Sequence, residues 1–220
     1  MNGVHDMGGM HCYGPVDCEA DDVLFHQEWE SQVLAIALAM GATGTWNLDQ
    51  SRSARESLPA PFYLRASYYQ IWLAGLENLL IEHQLITREE LLAGVSQSAP
   101  KKLKRILKSE SVASALAAGS PVSRTPSKSA RFSVGTKVTV RNLHSPTHTR
   151  LPGYIRQRTG EIVLVHGCHV YPDSHAQGLG ENPEWLYNVR FDSHKLWGSS
   201  AHAGAVHVDC WEPYLDPSVA

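Results

Sequence analysis

No stretch of this chain approaches the roughly 20 consecutive apolar residues that a membrane-spanning helix requires. The opening Met1-Asn2-Gly3-Val4-His5 also lacks the basic flank and apolar core of a secretory signal, so a cytoplasmic location is expected. Positive charge is not in excess. Nineteen Lys and Arg face 22 Asp and Glu, and a formal net charge of -3 gives no general attraction to nucleic acid or to an acidic membrane surface. Cysteine is sparse: Cys12, Cys18, Cys168 and Cys210 form no C-x-x-C pair and read as free thiols in a reducing compartment. The chain also has no Ser-His-Asp order, no Walker-type glycine-rich loop and no H-E-x-x-H helix.

Histidine is plentiful, with twelve in 220 residues. His144 and His148 are four apart and His166 and His169 three apart, but both pairs fall in segments that read as strand or loop. Neither spacing guarantees a shared face there. Polar surface or hydrogen-bonded loop histidines are the expectation, and no metal ligand is assigned to this chain.

The length suits one large domain or two small ones with real cores. Residues 1–20 are rich in Gly, His and Asp and have little periodicity. Asp21 or Asp22 can cap a helix running to about Met40, with Phe25, Trp29, Val33, Ile36 and Met40 at three- and four-residue steps and with Gly41 and Gly44 ending it. Asn47 with Gln50 forms a capping box for a short helix that Pro59 and Pro61 break, and Thr87 with Glu90 forms another for a helix that Gly94 can end. Between them a helix from near Ser67 to about Gln84 carries Tyr68, Trp72, Leu76 and Leu79 along one side. Lys101–Lys108 is a basic run, read as a solvated helix face, and residues 109–118 have helical composition. Residues 120–130 are rich in Ser and Pro and read as a linker. From Arg131 the period alternates. Lys137–Arg141, Glu161–Val165, Leu186–Phe191 and Ala205–Asp209 are short strand candidates, and several such strands in about 90 residues favour a small antiparallel barrel, since closure removes exposed edges.

The chain is therefore read as α+β: a segment over 1–20, a helical domain over 21–119, a linker over 120–130 and a β domain over 131–220. Its most distinctive stretch is His148-Thr149-Arg150-Leu151-Pro152-Gly153-Tyr154-Ile155-Arg156, followed by Thr159-Gly160 and His169-Val170-Tyr171-Pro172-Asp173. Pro152, with fixed φ, and Gly153, as a turn residue, can pre-set a bend just after Arg150. Spacing alone would favour a surface loop with scattered arginines. Arg52 by itself reads as an exposed partner of Glu56 one helical turn away, and the aromatic stripe by itself reads as core.

This stretch resembles the corresponding segment of the nitrile hydratase β subunit. The opening Met1-Asn2-Gly3-Val4-His5-Asp6-Met7-Gly8-Gly9 and the ending Val208-Asp209-Cys210-Trp211-Glu212-Pro213-Tyr214-Leu215-Asp216-Pro217 resemble the two ends of that family. The likeness spans nearly the whole chain, in order, apart from a variable middle. It implies that residues 1–20 form an extended arm on a partner subunit and that the β domain is an SH3-like barrel or β-roll, with Arg150 on a long loop. It further implies an α/β heterodimer, often paired into a tetramer, that hydrates nitriles to amides. Non-haem Fe(III) or non-corrin Co(III) would be held by the α subunit through three cysteine sulfurs, two of them oxidised, and two backbone amides. Arg52 and Arg150 match arginines that bind the oxidised cysteines, Tyr68 a residue in the surrounding hydrogen-bond shell, and Leu48 and Trp72 residues lining the substrate cavity. Ser51 departs from the bulky aromatic of some relatives. Whether the metal activates the nitrile or a water, or a sulfenate oxygen attacks, stays open. The alternatives are a non-catalytic accessory or metallochaperone-like binding module and a thiocyanate hydrolase-related subunit, although the latter enzyme divides these two halves between separate polypeptides.

Overall fold

The computed structural model describes residues 2–11, 13–16, 18 and 23–218. It divides into two compact units, one made of residues 10–119 and the other of residues 1–9 with 120–220.

The first unit is helical: α1 (Glu28–Ala42), α2 (Leu48–Glu56), α3 (Ala60–Tyr63), α4 (Tyr68–Glu82), α5 (Arg88–Ala93) and α6 (Val112–Ala118). Three starts are set by reciprocal bonds across three residues. Asn47 with Gln50 opens α2, Ser67 with Gln70 opens α4, and Thr87 with Glu90 opens α5, each pair satisfying two amides that a helix start leaves without partners. The start of α1 differs from expectation. Asp21 and Asp22 lie outside the described residues, and the helix begins at Glu28, where the Glu30 carboxylate accepts from the Gln27 and His26 amides. Its end falls at Ala42, with Gly41 still inside it. Pro59 and Pro61 interrupt helix only briefly, since Pro59 caps the single turn of α3. Lys101–Lys108 holds no regular helix, because its spacing supplies no continuous apolar face to bury. The core of this unit is Trp46, Leu76 and Leu79, with Met40 and Leu80 packed around them.

Glu90 has a second task. Besides the Thr87 amide, its carboxylate accepts from the Gln97 and Ser98 amides and from the Ser98 hydroxyl at 2.8–3.0 Å, tying the segment after α5 to the helix start. These donors, the Gln97 amide foremost, hold the carboxyl down to about 2. Because the folded value is depressed, the stabilisation is present above the ordinary carboxylate range and is lost as pH falls toward about 2. Glu90→Gln removes one accepting oxygen. The urea midpoint of the variant should therefore lie below that of the parent at pH 6, and the gap should shrink between pH 4.5 and 2.5; a gap independent of pH would contradict the assignment.

The second unit is an antiparallel sheet of β1 (Ser123–Arg124), β2 (Lys137–Val140), β3 (Thr159–His169), β4 (Glu184–Asp192), β5 (Ala205–Trp211) and β6 (Leu215–Pro217), with short helices α7 (Pro172–His175) and α8 (Ser193–Trp197). The strand order is β5-β4-β3-β2-β6, and β1 pairs with β3. Among the described residues this path does not close, so the barrel expected from the strand count is an open sheet instead. The edges manage without closure: β6 is three residues long and ends at Pro217, while β5 alternates exposed His207 and Asp209 with more buried Val208 and Cys210. Within residues 120–130, Ser123 pairs with His169 and the Lys128 carbonyl accepts from the Trp185 indole. Alternation in β4 sends Tyr187, Val189 and Phe191 into a core with Val138, Val140 and Ile162. Each such aliphatic or aromatic side chain contributes about 1.5–3 kcal/mol when fully buried. The strand β3 runs well past the expected Val165, with register shifts between Ile162 and Leu164 and between Val165 and Gly167.

Candidate functional site

In the sheet unit, local sequence holds Arg150 from both sides. Thr149 and Leu151 are 3% and 1% exposed, so the backbone flanking Arg150 is fastened to the core while Arg150 itself is half-buried. Pro152, at φ -65°, leads into a single 3-10 turn over Gly153–Ile155, and Ile155 is fully buried. The Tyr214 hydroxyl is the hub below this loop. It donates a short hydrogen bond to Asp173 Oδ1, and it accepts from the Thr149 hydroxyl at 3.2 Å and from the Arg150 amide at 3.3 Å. Burial raises both the Tyr214 hydroxyl and the Asp173 carboxyl above their ordinary values, Tyr214 well above; for Asp173 the bond from Tyr214 partly opposes this. Tyr171 packs against Tyr214 with ring centroids 5.8 Å apart. The structure thus joins the stretch around Arg150, the segment Tyr171–Asp173 and the C-terminal Tyr214 into one buried polar group, a link that no sequence period could announce.

His144 and His166 are held by neighbouring side chains. His144 bonds Asn142 and Arg156, His166 bonds Asp209 at 2.9 Å, and His148 is buried. Burial lowers the His169 ring below its ordinary value. Among the described residues no group of three or more His, Cys, Asp or Glu side chains converges as a metal site would need. Cys18, Cys168 and Cys210 are free thiols, and Cys12 lies outside the described residues.

In the helical unit, Arg52 pairs with Asp49 at 3.0 Å, one turn back along α2. Asp49 is almost fully buried and Arg52 is 41% exposed, so the carboxylate steers a guanidinium that still reaches solvent. Tyr68 is 64% exposed and Leu48 46% exposed. Tyr68 lies tilted against Trp72 with ring centroids 5.5 Å apart and meets Tyr69 edge-on at 5.2 Å. A small cavity of about 20 Å³ is lined by Ser51, Arg55, Trp72, Trp46, Leu76 and Leu79. That is room for about one water. The structure brings Trp72 and Ser51 to this cavity but leaves Leu48 and Tyr68 outside its lining.

Arg55 is the residue that sequence reasoning missed. Its guanidinium lies 4.5 Å above the Trp72 ring, and its Nε donates to the Ser51 carbonyl at 3.0 Å. Burial lowers its affinity for a proton. The position facing it on α4 is Gly75, where a Cβ would lie 2.5 Å from Arg55 Cγ. The available signal was Arg55 following Arg52 by three residues on a helix, together with a glycine inside the next long one.

These features define a class: an α+β chain with an N-terminal helical unit and a C-terminal antiparallel sheet, which presents anchored arginines and aromatic rings. The chain belongs to the nitrile hydratase β-subunit family. Residues 1–123 match the family described as nitrile hydratase beta subunit, N-terminal, and residues 121–217 match its C-terminal counterpart. The low-molecular weight cobalt-containing nitrile hydratase subunit beta of Rhodococcus rhodochrous is 40% identical over 227 residues, which cover 99% of this chain and 100% of that relative. The nitrile hydratase subunit beta of Pseudomonas putida is 38% identical over 220 residues, with 99% and 100% covered. Thiocyanate hydrolase subunit alpha of Thiobacillus thioparus is 38% identical over 68 residues, covering 30% of this chain and 53% of its own length.

Proposed function

We propose that this chain is the β subunit of a hydro-lyase that converts nitriles to amides, working with an α subunit that holds Fe(III) or Co(III). The observation that carries the reading is Arg150 on a loop fastened by Tyr214 and Asp173, in a chain that matches the family from end to end. The relative named as cobalt-containing favours cobalt. When bound, the metal supplies Lewis acidity toward a nitrile or a water.

The residues of this chain supply orientation. Oxidised cysteine sulfurs carry negative charge where two subunits meet, and such charge is costly in a dry interface unless it is paired. Arg52 and Arg150 pair with it, each guanidinium offering a planar fork to an oxyanion. Tyr68 adds a hydrogen bond in the surrounding shell, and Leu48 and Trp72 bound an apolar space for the substituent on the nitrile. The arm over residues 1–20 contributes to the α-subunit interface, the sheet unit is an SH3-like roll with open edges, and the assembly is an αβ dimer or its pair in the cytoplasm. The partial match to thiocyanate hydrolase covers too little of the chain to compete.

Co-expression with the cognate α chain tests this reading. The expected product is a stoichiometric two-chain complex with about one Fe or Co per pair that converts a simple nitrile to its amide. A stable monomer that recruits no second chain would favour the binding-module alternative.

A further inference from the structure

We propose that Asp6 is a positioning residue for Arg150, with the first residues of the chain acting as a strap across the loop that carries that arginine. The inference rests on the role proposed for Arg150.

Residues 2–9 belong to the sheet unit. The Asn2 side-chain amide donates to the Ser145 carbonyl at 2.7 Å, and the Gly153 amide donates to Asp6 Oδ2 at 2.7 Å. The strap thus bonds the loop on either side of Arg150, five residues before it and three after. The bond at Gly153 meets a specific need. Gly153 opens the 3-10 turn, and the residue before it is Pro152, which has no side-chain oxygen to cap that turn. Asp6 supplies the missing acceptor from 147 residues away, and a carboxylate makes a shorter, stronger bond to an amide than a neutral acceptor does. The carboxylate is itself oriented, because the Asp6 amide closes a tight turn on the Gly3 carbonyl at 3.1 Å.

Packing supports the same contact. A Cβ on Gly8 would lie 2.6 Å from the Tyr154 ring, so the strap backbone lies directly on that side chain. Tyr154 in turn meets Trp197 edge-on at 5.2 Å, and Gly9 faces Tyr154 Cβ and the Trp197 ring. A Cβ at Gly153 would stand 3.0 Å from Asp6 Oδ2, a tight contact that the carboxylate would have to ease. Arg150 is therefore held from the core side by Tyr214 and from the opposite end of the chain by Asp6. Small displacements of a group that orients reacting atoms can cost up to about a hundredfold in rate.

The test uses the αβ complex with verified metal content and compares Asp6→Ala, Asp6→Asn, Arg150→Lys and Asp6→Ala combined with Arg150→Lys. Asp6→Ala should lower kcat by about three- to fivefold with KM within about twofold, whereas Asp6→Asn, which keeps an accepting oxygen, should stay within about twofold of the parent. In the Arg150→Lys background, Asp6→Ala should cost nothing further, because the group it positions is gone. Amide exchange at Gly153 should quicken by at least about tenfold in Asp6→Ala. Additive losses in the double variant, unchanged exchange, or quicker exchange with full turnover would each overturn the proposal. If Arg150→Lys alone keeps full activity, the proposed role of Arg150 fails, and this inference fails with it. If Arg150→Lys is impaired and Asp6→Ala is not, only the strap is refuted.

Discussion

Arg150→Lys and Arg52→Lys should each lower kcat for nitrile hydration by at least about tenfold, about 1.4 kcal/mol in the barrier, while the complex still assembles. Lysine keeps the charge but loses the planar fork, so it is not conservative where an oxyanion is gripped through two hydrogen bonds. The structure makes turnover the discriminating readout. The backbone of Arg150 is held by Thr149, Leu151 and Tyr214, none of which depends on its guanidinium, so the loop should keep its course in the variant. Arg52 loses little stability as lysine, because an ammonium can still reach the nearby Asp49 carboxylate and a partly exposed pair is worth about 0–1 kcal/mol. If both arginines were ordinary surface charges, stability would move by about 0.5 kcal/mol or less and turnover would be unchanged. Initial rates of purified complexes with matched metal content and cysteine oxidation decide between these outcomes. Full activity in both variants would remove the arginines from the mechanism, whereas loss of metal or of oxidation would assign them to maturation of the centre.

Gly160→Ala should be strongly destabilising, costing about 3 kcal/mol, at the upper end of overpacking penalties. Gly160 lies in β3 opposite Val138, where a Cβ would stand 2.6 Å from Val189 Cγ1, 2.9 Å from the Arg190 carbonyl oxygen and 2.9 Å from Phe191 Cε1. A side chain could turn aside, but the carbonyl belongs to β4 and cannot retreat without disturbing strand pairing on both sides. Val189 and Phe191 are fully buried, so neither has space to yield. For a unit of this size such a penalty lowers the thermal midpoint by on the order of 10–20 °C. Scanning calorimetry of the complex checks it, and a midpoint within about 2 °C of the parent would show that the strand can shift after all.

Much of the helical unit was legible because its signals are local. Asn47 with Gln50 and Thr87 with Glu90 satisfy each other across three residues, so pattern and bond coincide. Gly94 ends α5 at φ 67°, a left-handed conformation that glycine adopts without penalty. The alternation of Tyr187, Val189 and Phe191 likewise marks a strand with one face in a core. The family, and with it the candidate arginines, was legible from three separated segments in the right order.

By itself, then, the sequence determined where the main helices and strands lie, which side chains turn inward, and which family the chain belongs to, since each of these depends on neighbours within a few residues or on matched motifs. The tertiary structure alone decided that the sheet stays open, that the two residues of β1 and the three of β6 are strands, and that Arg52 turns to Asp49. It alone placed Arg55 over Trp72, Tyr214 beneath Arg150 and Asp6 against Gly153. The physical reason for the last three is the same. They are pairings of single groups 17 to 147 positions apart, each fixed by the packing of whole elements, and no periodic pattern along the chain encodes them.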